Sequence, residues 1–280
     1  MPESRTLISV GVDDIVNPFY SDLSHAINDA TKFQAFFQHE FPCGARFEDA
    51  TLLANPTALE VASALENALE KMTADSIFVF YFAGHGLLTP TGTQKLLCKD
   101  ADPALADGVD APGAISSDFI NWFSRRGRGK MFFCFDVCRR DIFAQHRGAT
   151  ARNEGASPFR EALRTKGRPE SEALRWSLYS CGDGQLSRDD GSFVDALLAE
   201  MRAILAQGRE LKLGDELVDG VAKRLSALGS RPEGHGEPFV LAPAAAAAAS
   251  ELDALKRELE TLRRRVAEFE AKERENSGNA

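Results

Sequence analysis

The stretch DSIFVFYFAGHG, residues 75–86, carries an unbroken apolar and aromatic run from Ile77 to Ala83. A strand with no wet face suits the middle of a parallel sheet that helices cover on both sides. It ends abruptly in Gly84-His85-Gly86. A second run, KMFFCFDVCRRD at 130–141, is apolar in its first half and then exits into Asp136, Cys138 and two arginines. Around these two lie weaker strand candidates: RTLISVGV (5–12), FEDATLLA (47–54), LRWSLYSC (174–181) and a short last strand, EPFVLA (237–242).

Helical spacing fills the gaps. Residues 24–41 repeat Ala26, Ile27, Ala30, Phe33, Phe36 and Phe37, and residues 55–72 set Leu59, Ala62, Leu65 and Leu69 on one face. A helix over 115–126 opens on a serine N-cap, and two more span 191–208 and 213–228. Strands alternating with helices predict an α/β layered fold around a mostly parallel sheet.

The bulk numbers narrow the class. The chain has 280 residues, 44% hydrophobic and 27% charged, which suits one globular domain with an appendage. A net charge of −9 argues against nucleic acid as a partner. No apolar run approaches the ~20 residues of a membrane span, and the N-terminus lacks the pattern of a secretory signal. The five cysteines are scattered, with no CxxC pair, so neither a disulfide framework nor a zinc spacing is present. A reducing cytoplasm is the expected setting.

The chemistry sits where the two strongest strands end. Ligand sites in open parallel sheets collect beyond the carboxyl ends of the strands. If 77–84 and 130–137 are neighbours, His85 and Cys138 come within reach of each other. An imidazole beside a thiol favours the attacking thiolate and can later protonate a leaving amine. The backbone N–H groups of Gly86 and Cys138 are candidate donors to an oxyanion. Cys134, Cys43 and Cys98 read as small core residues.

The order of motifs resembles the caspase and metacaspase family, in its prokaryotic, orthocaspase-like form. FYFAGHG is similar to the family's histidine motif, FDVC to the segment that carries its nucleophile, and AINDA (26–30) to a stretch on its first helix. SLYSCGDGQLS (177–187), GSFVDALLAEM and RPEGHGEPFVL follow in the family's order. The resemblance runs from about residue 5 to residue 242. It implies a three-layer sandwich with a six-stranded, mostly parallel sheet. It also implies a cysteine endopeptidase with Cys138 as nucleophile, His85 as acid and base, and Gly86 at the oxyanion hole.

By the same resemblance, Asp29 and Asp136, with Asp183 as a weaker third, line the pocket for the side chain before the cut. Carboxylates there favour a cation, so protein or peptide substrates with Arg or Lys at that position are expected. Arg139-Arg140-Asp141 departs from the family's usual His-Ser-Gly, and Ala83 and Ala26 replace small polar residues. That departure motivates a rival reading, a catalytically silent scaffold.

Residues 139–173 are arginine-rich and read as a flexible loop, and family members are often processed there. Arg147, Arg152, Arg160, Arg164 and Arg168 are the self-cleavage candidates. The chemistry itself needs no cofactor. Some relatives use calcium as activator, for which Asp100, Asp102, Asp107 and Asp110 form a weak cluster without EF-hand spacing. Stress, cell-death or anti-phage signalling is the role the resemblance suggests.

The expected organisation is a peptidase domain over 1–242, a Pro/Ala linker or helical stalk over 243–249, a coiled coil over 250–275 and a disordered tail, 276–280. Leu252, Leu255, Leu259, Leu262, Val266 and Phe269 form an a/d seam. In a parallel dimer Glu251, Glu258 and Arg265 would face Lys256, Arg263 and Glu270, all opposite in sign. A homodimer, or a partner protein's coil, is the expected use of this segment.

Overall fold

The computed structural model describes residues 4–17, 20–42, 44–88, 93–102, 113–137, 173–182 and 188–244. The self-cleavage candidates, most of the expected linker and the whole expected coil lie outside them.

The first strand, β1 (Arg5–Gly11), is followed by α1 (Ala26–Ala35), β2 (Asp49–Ala54), α2 (Ala58–Lys71) and β3 (Ile77–Gly84). Three short strands come next: β4 (Gly86–Leu88), β5 (Gln94–Leu97) and β6 (Ala114–Ser116). Then follow α3 (Ser117–Arg126), β7 (Lys130–Val137), β8 (Leu174–Tyr179) and α4 (Ser192–Ala206). The chain closes with β9 (Leu211–Leu213), α5 (Asp215–Leu225), β10 (Glu233–Gly236) and β11 (Phe239–Ala242). The main sheet has six strands in the order β10-β8-β7-β3-β1-β2. Its neighbours pair in parallel except β10, which runs antiparallel to β8.

Strand parity builds two cores, one on each face. Val79 and Tyr81 of β3 and Phe132 and Cys134 of β7 point toward Phe33, Phe36 and Phe37. Phe78, Phe80 and Phe82, with Phe133 and Phe135, pack instead against Val61, Leu65, Ile120 and Phe123. All eight residues of β3 are buried, which is why that strand reads as uniformly apolar. Helix α2 is anchored by a capping box: Thr57 Oγ1 accepts from the Glu60 N–H, and the Glu60 carboxylate accepts from the Thr57 N–H.

Several expectations need correction. The first helix is α-helical only to Ala35, and Phe36–Glu40 form a π-turn closed by the Phe41 N–H donating to the Phe36 carbonyl. Leu59 is 75% exposed; the buried face of α2 is Val61, Leu65 and Ala68. The expected last strand does form, as β11 from Phe239, but it pairs antiparallel with β9 in a separate ribbon and not in the main sheet. The edge of the main sheet is β10, whose sequence Glu-Gly-His-Gly has little strand propensity. Strands β4, β5 and β6, a small antiparallel sheet, were not expected.

Candidate active site

The sheet order makes β3 and β7 neighbours, with Ala83 opposite Asp136 and Gly84 opposite Val137. His85 follows Gly84 in sequence just as Cys138 follows Val137. Cys138 itself lies outside the described residues, as does Asp183. The neighbouring strands that the dyad reading required are therefore present.

At Gly84 the backbone turns with φ +156°, and a Cβ there would sit 3.1 Å from the Phe82 ring and 3.2 Å from Val12 Cβ. A larger residue is strained at this point. The chain then fixes His85 from two sides. Its carbonyl accepts from the Leu97 N–H at 3.0 Å. Its ring Nε2 donates to the Ser21 carbonyl at 2.9 Å, and the Tyr20 ring lies 5.1 Å away, tilted by 52°. A carbonyl only accepts, so this bond places the ring proton on Nε2 and leaves Nδ1 as the basic nitrogen. Burial pushes the Tyr20 hydroxyl up to about 12, so it stays neutral beside the imidazole. Gly86 opens β4, opposite Leu96 of β5.

Parity places Asp136 on the same face of β7 as Phe132 and Cys134, the face that α1 covers. Asp29 comes from the first turn of α1. Both carboxylates are buried. They line one cleft of about 60 Å³ with Leu23, Ala26, Ala83, Gly84, His85, Arg188 and Asp189. Burial pushes the Asp29 carboxyl up to about 7, and the charges of Asp136, Asp195 and Asp189 add to that while Lys32 opposes it. Lys32 lies nearer Asp195, at 2.8 Å, than Asp29, at 3.8 Å. Asp29 Oδ1 is buried with no hydrogen-bond donor on it. A donor-rich cation entering the cleft would meet an acceptor with unused capacity.

Other sequence candidates separate from this cleft. Cys134 and Cys98 are fully buried; burial drives both thiols up, Cys98 to about 12, which makes them inert core groups. Cys43 lies outside the described residues. Asp100 Oδ1 accepts from the Ala58 N–H at the start of α2, and Asp102 Oδ1 accepts from Asn17 Nδ2. Asp107 and Asp110 are outside the described residues. Among the described residues no group of three or more His, Cys, Asp or Glu could hold a metal ion. Likewise no described helix is long and apolar enough to cross a membrane.

Four features of the site were missed by reading motifs: the Ser21 carbonyl, the Tyr20 ring, and Arg188 and Asp189 on the cleft wall. Only the last two carried a signal, since charged residues after a strand are candidates for a cleft wall.

The fold is shared with solved structures. A Geobacter sulfurreducens protein solved by structural genomics superposes with a TM-score of 0.56 at 14% identity, covering 84% of this chain and 93% of that one. Caspase-1 from Spodoptera frugiperda superposes with a TM-score of 0.57, also at 14% identity, over 87% of this chain and 91% of its own. No curated protein sequence matches. The model of the caspase domain family matches residues 15–275, nearly the whole length. By that match and by its fold, the chain belongs to the caspase domain family, whose members are cysteine peptidases.

Proposed function

We propose that this chain is a cysteine endopeptidase that cuts after arginine or lysine. The observation that carries the specificity is the pair of buried carboxylates, Asp29 and Asp136, in one cleft with His85. A guanidinium or ammonium head entering there meets both carboxyl groups, and its charge favours the ionised form of Asp29. An aspartate head would add a third carboxylate in the same small volume.

The chemistry follows from the dyad. His85 Nδ1 takes the proton from Cys138 Sγ, and the thiolate attacks the scissile carbonyl carbon. The carbonyl π electrons move to oxygen, where the Gly86 and Cys138 N–H groups are the proposed donors. Collapse of that oxyanion breaks the C–N bond, and the imidazolium gives its proton to the leaving amine. Water then adds to the thioester with His85 again as base, and the acid product and the thiol are released. The Nε2 bond to Ser21 supports this sequence, because an imidazole held by a carbonyl keeps one tautomer and its cation stays hydrogen-bonded.

Purified protein tested on fluorogenic peptides ending in Arg, Lys or Asp, with and without calcium and beside Cys138→Ala, decides the matter. Cysteine-dependent hydrolysis after Arg or Lys is expected. Hydrolysis after Asp alone would sink the pocket. No hydrolysis at all would favour the silent scaffold, a reading that rests on Arg139-Arg140-Asp141 following the nucleophile position.

A further inference from the structure

Helix α1 has no cap of its own. His25, at the N-cap position, makes no side-chain capping bond. Two carboxylates from distant parts of the chain do that work. Asp13 Oδ1, just past β1, accepts from the N–H groups of Ala26 at 2.8 Å and Ile27 at 3.4 Å. Asp189, from the segment between β8 and α4, accepts from the Ser24 N–H at 2.8 Å, the Ser24 hydroxyl at 3.2 Å and the His25 N–H at 3.1 Å. One carboxylate thus takes three donors from two consecutive residues.

The segment it grips is the one that holds the imidazole. Ser21, whose carbonyl receives His85 Nε2–H, is three residues before Ser24, and Tyr20 packs on the His85 ring. Past the grip, α1 carries Asp29 one turn on. Asp189 and its neighbour Arg188 also line the cleft wall. One ion pair ties α4 to α1 near this point, and the head of α4 passes close to Asp29. Lys32 reaches Asp195, and a Cβ on Gly191 would sit 3.0 Å from Asp29 Oδ1.

We infer that Asp189 is a positioning residue: it locks segment 20–25 to the cleft wall, so that the Ser21 carbonyl holds His85 in its reactive orientation. This rests on the dyad reading above. Asp189 acts through Ser24 and the chain behind it and need not touch the substrate. Asp189 is thus an acid of the cleft wall with a task other than reading a basic side chain. Each of its two oxygens accepts from a main-chain N–H, and one also accepts from the Ser24 hydroxyl, so an amide cannot copy these bonds. In Asp189→Asn one oxygen becomes a donor and opposes an N–H.

The test uses the full chain, with Asp189→Asn, Ser24→Ala and His85→Ala. It reads kcat and KM on an Arg peptide, and the rate at which iodoacetamide alkylates Cys138 at neutral pH, followed by mass. Ser24→Ala removes one of the three donors and keeps the two N–H bonds, which guards against a misfolded Asp189 variant. Displacing a catalytic group by about 1 Å costs up to ~100-fold, so kcat is expected to fall at least ~10-fold in Asp189→Asn and about threefold in Ser24→Ala, with KM within about twofold. Cys138 alkylation slows in the order Ser24→Ala, Asp189→Asn, His85→Ala. A rise in KM at constant kcat would mean that Asp189 reads the substrate and would overturn the positioning role. Alkylation slowed by His85→Ala but untouched by both other variants would overturn it too. If even His85→Ala leaves alkylation unchanged, the dyad itself is wrong and the role of Asp189 goes with it.

Discussion

Replacing Asp29 with asparagine is expected to make the protein more stable and less able to cut. Burial and the Asp136 charge raise the Asp29 carboxyl from 3.8 to about 7 in the folded chain. The folded state therefore holds a proton that the unfolded state has lost between those two values, and stability falls as pH rises through that window. Each unit is worth ~1.4 kcal/mol, so the full span comes to about 4 kcal/mol at pH 8 and to under ~1 kcal/mol at pH 4. Asparagine has the shape of the neutral acid and carries no such cost. It should raise the midpoint of unfolding at pH 8, by roughly 8–16 °C at ~2–4 °C per kcal/mol, and change it little at pH 4. Thermal unfolding of both proteins across pH 4 to 8, with Arg-peptide hydrolysis measured alongside, tests this. A variant less stable than the parent at pH 8, or a difference that does not grow with pH, refutes the account of Asp29 as a buried, costly charge. Stabilisation without loss of Arg cleavage would refute its role in the pocket.

Three further outcomes follow from the same geometry. Because Asp29 is neutral below about 7, kcat/KM for Arg peptides should rise as pH increases through that value, and this rise should vanish in Asp29→Asn; a profile flat from pH 6 to 8 in the parent would contradict it. Gly84→Ala, at φ +156° and pressed between Phe82 and Val12, should lose at least ~10-fold in kcat through a displaced His85, checked by steady-state kinetics on a folded sample. Thr57→Ala breaks the capping box of α2, away from the cleft, and should cost about 1 kcal/mol in urea unfolding with kcat/KM unchanged.

Much of this architecture can be read from residue order because its causes are local or periodic. Strands β3 and β7 declare themselves because burial on both faces demands uninterrupted apolar side chains. Asp136 stands out for the complementary reason: it is an acid at the end of a run where every neighbour is apolar. Counting by twos from Phe132 even gives its face. Strand β10 stays hidden, since Glu-Gly-His-Gly earns its place from pairing with Tyr179 to Trp176 and not from its own composition. Strands of three or four residues, such as β4 and β6, are too short to show a period. The raised carboxyl of Asp29 and the grip of Asp189 on Ser24 depend on groups more than 100 residues apart, which no local pattern encodes.

The Ser21 carbonyl has a different kind of consequence. The group that orients His85 belongs to the main chain, so no single side-chain replacement at residue 21 removes it. What keeps it in place is how the flanking chain is tied: the Val12 N–H to the Ala83 carbonyl, the Leu23 N–H to the Asp13 carbonyl, and the Ser24 and His25 N–H groups to Asp189. A scan of substitutions would pass over Ser21 as a tolerant site. A scan of one-residue deletions across 14–24 would find it at once, because shortening that span pulls the oxygen away from the imidazole while leaving both strands intact. On the proposed reading, part of the site is encoded as a length of chain and not as a letter.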